Sequence, residues 1–211
     1  MDPDGNENKV AIVGYDNRWG VRKTFYEAAK QSGNRIVSSG IIFPIKGIGN
    51  YGAVKSGKEA ISVLKKSGSK NNPITDIFFS THGAPYAIDF WNSGNNIYIS
   101  EESMKSLNSN FTPGNEAAYI SDIVSLVNEG IIASDVNIVL GGCLNGARPS
   151  NVPVNTEDAT ARAWASRGME NFAKALSKAL PNATITANRT QVDASKGLNS
   201  PVVYKNGEEV R

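Results

Sequence analysis

Short apolar runs alternate along the chain with segments whose apolar residues recur at helical spacing. The apolar runs have the length of strands and end at glycine, proline or polar turn residues; they cover 9–15, 35–45, 74–83, 136–142 and 183–190. The segments between them predict helices over 19–33, 56–68, 100–107, 116–130 and 157–180. This order predicts a parallel sheet connected by helices.

Two hairpins complete the predicted elements. One lies within 84–99 and turns at Gly94-Asn95, and the other spans 201–211 with Asn206-Gly207 at its tip. We therefore predict an α/β fold: a mainly parallel central sheet, helices on both faces and a C-terminal hairpin. Residues 1–8 are a polar N-terminal segment, and 9–211 are predicted to be one domain. The long irregular stretch 84–115 is typical of a functional loop.

Composition narrows the class of protein. The 211 residues are 40% apolar and carry a net charge of +2, so charge gives no case for a nucleic acid or an anionic membrane as partner. One cysteine and one histidine exclude an internal disulfide and a Cys/His zinc cage. No apolar run approaches about 20 residues, and the polar residues 1–8 are unlike a signal peptide. No cofactor or metal is predicted.

The only histidine, His82, and the only cysteine, Cys143, each end a predicted strand. Ligands of open α/β sheets bind outside the carboxyl ends of the strands, and neighbouring strands lie about 4.8 Å apart. If the two strands are neighbours, the imidazole and the thiol face each other, and a histidine is the usual base for a cysteine nucleophile. The alternative is that both are structural residues of the core.

Glycines surround both residues. Gly83 leaves its N–H open to a developing oxyanion, while Gly142 and Gly146 let the backbone approach a substrate closely. The motif GGCLNG, residues 141–146, is therefore typical of a segment whose backbone closely approaches another backbone or a ligand.

The pattern of an apolar run followed by STHG, and a second run followed by GGC, resembles the caspase-like cysteine peptidases. The resemblance covers residues 9–190 and is closest to the self-processing peptidase domains of large bacterial toxins. It implies a caspase-like three-layer sandwich, Cys143 as nucleophile, His82 as base and leaving-group acid, and an oxyanion hole from the N–H groups of Gly83 and Cys143. It requires no catalytic carboxylate, and we nominate none.

The same resemblance places the substrate pocket at the strand ends, where Arg18, Gly141 and Arg189 are expected to line it. The arginines would hold an acidic side chain. Gly141 and Gly142 stand where caspases have a Gln-Ala pair before the cysteine, which puts a caspase-type preference in doubt. The pocket would suit a basic residue instead if it were lined by an acidic side chain: Asp16, Asp76 or Asp193. Phe90 and Trp91 are candidates for the wall of a groove or for core anchors.

The first six residues, MDPDGN, resemble the junction that precedes the C-terminal toxin domain of rearrangement-hotspot (Rhs) polymorphic toxins. This implies an effector secreted or injected as part of a larger toxin into the cytoplasm of a target cell, with a protein substrate and a cognate immunity protein. The alternative is that the proline, aspartates and glycine of this segment simply favour a tight turn. Two other functions stay open: an inactive α/β binding module, and acyl transfer to a non-protein acceptor.

Overall fold

A computed structural model describes residues 7–38, 42–45, 49–91, 94–152, 156–190, 198 and 200–210. Its strands are β1 Asn8–Val13, β2 Arg35–Val37, β3 Ile42–Ile45, β4 Gly49–Gly52, β5 Ile74–Ser80, β6 His82–Ala84, β7 Ala87–Asp89, β8 Ile97–Tyr98, β9 Ala118–Tyr119, β10 Ile132–Leu140, β11 Thr184–Asn188, β12 Pro201–Lys205 and β13 Glu208–Val210. Its helices are α1 Trp19–Gln31, α2 Gly57–Ser67, α3 Glu101–Leu107, α4 Ile120–Asn128, α5 Ala159–Ser166 and α6 Phe172–Ala179.

Seven strands form the central sheet in the order β13-β12-β11-β10-β5-β1-β2. The five strands from β2 to β11 are parallel, and β12 and β13 continue the sheet antiparallel. The predicted α/β class with a mainly parallel sheet and a C-terminal hairpin is confirmed. Each parallel connection between neighbouring strands passes through helical segments, as parallel pairing requires.

The sheet carries helices on both faces because its apolar residues alternate. Val10 and Ile12 of β1 belong to the large core, which also contains residues of α2, α4 and α6. Ala11 and Val13 point to the opposite face and pack with Phe25 of α1. Every second residue of a strand faces the same side, so one strand contributes to both layers.

A second sheet of four short strands, β6-β7-β8-β9, lies beyond the end of β5. Trp164 of α5 is fully buried in a separate apolar cluster beside it, together with Tyr98 of β8 and Met104 of α3. The irregular region after 84 is therefore a packed layer with its own core. The predicted helix 100–107 is confirmed, and Ser100 caps it by accepting the N–H of Ser103.

Two predicted strands end earlier than expected. The strand predicted over 35–45 stops at Val37, and 42–45 pairs instead with 49–52 in a two-stranded sheet, where the sequence pattern predicts only a loop. The strand predicted over 74–83 stops at Ser80, and His82 opens β6 in the second sheet. The sequence pattern does not reveal which partner strand each half pairs with.

The long helix predicted over 157–180 is wrong. The structure has two helices, because Gly168 adopts φ +60° and Asn171 starts a new helix by accepting the N–H of Lys174. Asp158 caps the first of the two. The helix predicted over 116–130 begins at Ile120, after strand β9. The predicted hairpins are confirmed: β7 pairs antiparallel with β8, and β12 with β13.

Candidate active site

Three adjacent parallel strands bring three functional side chains to one edge of the sheet. β5 lies between β1 and β10. Asp16 follows β1, His82 follows β5 and Cys143 follows β10. The condition that sequence analysis left open is met: the strands that precede His82 and Cys143 are parallel neighbours. Since parallel strands end on the same side of the sheet, the three residues lie in one region of the molecule.

The backbones at His82 and Cys143 touch. A Cβ at Gly142 would lie 2.7 Å from the carbonyl oxygen of His82 and 2.8 Å from the nitrogen of Gly83. A Cβ at Gly83 would lie 2.5 Å from the carbonyl oxygen of Cys143. Neither position has room for a side chain, so these two glycines allow the contact between β6 and the segment that follows β10.

Asn145 stabilises the same contact through hydrogen bonds. Its side chain is buried, and its Nδ2 donates to the carbonyl oxygens of Ala84 (3.0 Å) and Ala87 (2.7 Å). This ties the loop after Cys143 to the β6–β7 hairpin after His82. Sequence analysis missed Asn145, although a short amide two residues after the candidate nucleophile and before a glycine was a visible signal.

The imidazole of His82 is held by a carboxylate. Its Nε2 lies 2.6 Å from Oδ2 of Asp16, whose side chain is fully buried. Sequence analysis named Asp16 only as a possible pocket residue and nominated no carboxylate partner for the histidine. The pairing spans 66 residues of sequence, and the only local signal was an acidic residue three positions after a strand.

Arg18 completes the environment of Asp16. Its backbone N–H and Nε donate to Oδ1 at 2.6 and 3.1 Å, and its Nη2 donates to Oδ2 at 2.8 Å. Burial alone would raise the pKa of Asp16, but the hydrogen bonds from Arg18 and His82 outweigh burial and lower that pKa to about 2. Asp16 is therefore ionised at neutral pH.

Aromatic rings flank His82. Phe25 meets the imidazole edge-on at 4.8 Å between ring centroids, and Trp91 lies tilted over it at 4.9 Å. Trp91 is 49% exposed, has φ +55° and stacks under the guanidinium of Arg18 at 4.5 Å. A bulky residue rarely adopts a positive φ. The predicted groove-wall role fits the exposed Trp91, whereas Phe90 is fully buried in the core.

Cys143 is half-buried and packs against the apolar cluster around Trp164, as does Tyr86. The next residue, Leu144, has φ +60° and donates its N–H to the carbonyl oxygen of Thr190. A left-handed non-glycine residue directly after the thiol marks a tight backbone at this position. The loop thus contacts β6 through the glycines and is bonded through Leu144 to Thr190, two residues beyond the end of β11.

The other predicted pocket residues have internal partners. The N–H of Gly141 donates to the carbonyl oxygen of Phe79 within the sheet. Arg189 is paired with Glu209 of β13, which also binds Arg148 at 2.9 Å. The structure therefore does not bring Arg18 and Arg189 to a common anion: each is bound to its own carboxylate.

Two of the alternative acidic residues lie elsewhere. Asp76 accepts a hydrogen bond from Asn137 near the start of β5, at the end of the strand away from His82. Asp193 lies outside the described residues, as does the MDPDGN segment. Among the residues that the structure describes, there is no group of three or more histidine, cysteine, aspartate or glutamate side chains placed to hold a metal ion.

No helix in the described ranges is long and apolar enough to cross a membrane. Comparisons of this chain with protein-family models, with curated proteins and with solved structures find no match.

Proposed function

We propose that this chain is a cysteine endopeptidase of caspase-like fold, with Cys143 as nucleophile and His82 as base. The observation that carries the proposal is the meeting of the only cysteine and the only histidine at the ends of neighbouring parallel strands, with their backbones in contact. The fold part of the proposal is supported by the parallel order β2-β1-β5-β10-β11, in which the histidine strand lies at the centre.

The bond to Asp16 assigns the two nitrogens of the imidazole. Because Asp16 is ionised, the proton between the two groups belongs to Nε2 of His82, so that Nδ1 of the neutral ring carries the lone pair. Nδ1 is then the atom that takes the proton of the Cys143 thiol. Asp16 is a positioning residue that also stabilises the imidazolium formed in this step.

The reaction follows from these assignments. The thiolate of Cys143 attacks the scissile carbonyl carbon, and the oxyanion forms near the N–H groups of Gly83 and Cys143. The tetrahedral intermediate collapses, the C–N bond breaks, and Nδ1 of His82 returns its proton to the departing amine. Water, deprotonated by the same nitrogen, then hydrolyses the thioester and regenerates the thiol.

The geometry of Gly83 supports its role as a donor. The β6–β7 hairpin closes on Ala84 and Ala87, and the pairs of an antiparallel ladder alternate in their hydrogen bonding. By this alternation, we expect the N–H of Gly83 to point away from β7. The nitrogen faces the 142–143 backbone, as the 2.8 Å approach of a Cβ at Gly142 indicates.

We also propose that the domain acts as an effector inside a target cell, delivered by a larger parent toxin and neutralised by a cognate immunity protein. The support is the MDPDGN segment alone. Expression inside bacteria tests it: wild type should arrest growth and Cys143→Ala should not. Toxicity that survives Cys143→Ala would contradict both the effector and the peptidase proposals.

Two measurements test the peptidase proposal directly. Iodoacetamide should alkylate Cys143 rapidly at neutral pH, and a whole-cell lysate incubated with wild type, but not with Cys143→Ala, should contain new protein N-termini. An inert thiol would favour the binding module. A reactive thiol without new N-termini would favour acyl transfer.

A further inference from the structure

The charged groups around the candidate active site are not those that sequence analysis predicts. Arg18 is bound to Asp16, and Arg189 is bound to Glu209. A guanidinium that already faces an internal carboxylate gains little from an acidic substrate side chain, because it must first lose that partner. The two arginines therefore give no support for an acidic substrate residue.

Asp89 is a second carboxylate near His82, in addition to Asp16. The two residues are directly opposite in the antiparallel β6–β7 register, so their side chains share one face with their Cβ atoms about 5 Å apart. The Oδ1 atom of Asp89 accepts the N–H of Trp91 at 2.7 Å. Within the described part of the chain, no lysine or arginine forms an ion pair with Asp89.

The burial of Asp89 without a lysine or arginine partner changes the pKa of its carboxyl group. Desolvation raises its pKa, and the hydrogen bond from the Trp91 N–H, the proximity of His82 and a hydrogen bond from the side chain of Asn96 offset this only in part. A cationic substrate side chain would stabilise the half-buried carboxylate of Asp89, because it would supply the counter-charge that no lysine or arginine of the described residues provides.

Further polar groups extend this region away from His82. The hydroxyl of Tyr86 donates to Oδ2 of Asp158 at 2.9 Å, and Tyr86 packs on the same apolar cluster as Cys143. Burial, and then the charge of Asp89, raise the pKa of Tyr98 to about 12. The carboxylates of Asp89 and Asp158 and the half-buried ring of Tyr86 therefore lie close together near His82, whereas Tyr98 is buried in the apolar cluster.

We propose that the site accepts lysine or arginine as the residue whose carbonyl carbon is attacked, with Asp89 as the specificity-determining residue. The inference rests on the proposed peptidase function. The half-buried ring of Tyr86 packs against the aliphatic part of a long basic side chain, and Asp89 binds its charged end. Asp158, which is exposed, adds a weaker attraction.

Peptidyl acyloxymethyl ketones test the inference, since the thiolate displaces the carboxylate leaving group and forms a stable thioether on Cys143. Three probes differ only in the residue next to the ketone: arginine, leucine or aspartate. The rate of labelling is read from the intact protein mass. The arginine probe should react at least about tenfold faster than the leucine probe, and the aspartate probe slowest.

Asp89→Asn should reduce the ratio of the arginine rate to the leucine rate about tenfold or more, because it keeps the shape and removes the charge. Asp135→Asn is the matched control: Asp135 is exposed on β10, and its variant should keep the wild-type ratio. A second measurement needs no variant. Raising the salt from about 0.05 M to about 0.5 M should lower the ratio in wild type, because ions screen the attraction.

Equal labelling by all three probes, a faster aspartate probe or a ratio unchanged in Asp89→Asn would overturn the inference. Each of these results would leave the reactive dyad standing. Failure of every probe, together with failure of iodoacetamide to alkylate Cys143, would instead contradict the proposed function and the inference with it. The two failures are therefore distinguishable.

Discussion

The carboxylate of Asp16 is the hydrogen-bond partner of the His82 imidazole, although 66 residues of sequence separate the two. It binds Nε2 at 2.6 Å, is itself held by Arg18, and is fully buried. This bond orients the imidazole ring and, in the proposed mechanism, sets its tautomer. Arg18, which the sequence predicts to bind substrate, thus acts on the candidate site through Asp16.

Replacement of Asp16 by asparagine should slow alkylation of Cys143 at neutral pH at least about 100-fold, because the amide no longer fixes the tautomer that leaves Nδ1 free of a proton. The rate of labelling by a peptidyl probe measures the effect. Asp76→Asn serves as the control, since Asp76 binds Asn137 at the far end of β5. A rate within a factor of about three of wild type would show that Asp16 is only structural.

Acid should remove a stabilising contribution that Asp16 makes at neutral pH. Its pKa is about 2 in the folded protein against an ordinary value of 3.8, so ionised Asp16 contributes about 2 kcal/mol above about pH 4. As the pH falls towards 2, the carboxylate is protonated and this contribution is lost. The difference in free energy of unfolding between wild type and Asp16→Asn should shrink by about that amount between pH 5 and pH 2, measured by urea denaturation.

Gly83 and Gly20 offer a matched pair of glycine-to-alanine substitutions. A Cβ at Gly83 would lie 2.3 Å from Oδ1 of Asn145, whereas a Cβ at Gly20, in α1, meets nothing within 4 Å. Gly83→Ala should push β6 away from the Cys143 loop and lower probe labelling at least about tenfold. Gly20→Ala should keep the rate and raise the free energy of unfolding by up to about 1 kcal/mol. Equal rates in the two variants would contradict a close approach at Gly83.

At the scale of elements, the break between α5 and α6 supports the candidate site. Asn171 caps α6 by accepting the N–H of Lys174, and its Nδ2 donates at 3.0 Å to the carbonyl oxygen of Ala147 and to the hydroxyl of Tyr204. One side chain therefore joins a helix start to the loop that follows Cys143. Helical periodicity runs straight through this break, so only Gly168 and Asn171 signalled it.

Asn171→Ala should cost about 2–4 kcal/mol of folding free energy, because it removes a cap and leaves buried polar groups without a partner. Ser100→Ala, which removes only the cap of α3, should cost about 1 kcal/mol. Urea denaturation of both variants measures the difference. Equal costs would show that the bonds of Asn171 to Ala147 and Tyr204 contribute little.

At the scale of the whole molecule, the strand order places the candidate site on the best-supported part of the sheet. β5 is bonded on both sides, by β1 and β10, whereas β13 and β2 are the edges. Asp16 and Cys143 are thus carried by loops that follow central strands, and His82 by β6, which directly follows β5. A rigid support for reacting groups is what precise positioning requires.

The rates of amide hydrogen exchange should follow the position of each strand in the sheet, from centre to edge. Amides of β5, β1 and β10 should exchange most slowly, through global unfolding, and amides of β13 much faster, through local opening. The ion pairs of Glu209 with Arg148 and Arg189 slow the opening of β13 but do not give it a second neighbouring strand. Protection of β13 equal to that of β5 would contradict this ranking.

The sequence by itself determined the α/β class, most element positions and the two residues of the dyad hypothesis, because periodicity, turn residues and the rarity of histidine and cysteine are all local information. The tertiary structure alone decided that the chain changes sheets after Ser80, that Asp16 binds His82, and that Arg18 and Arg189 have internal partners. Each of these depends on pairing between segments distant in sequence or on which of several oppositely charged groups lies nearest. Hydrophobic patterning does not encode those choices, since many pairings bury the same apolar residues.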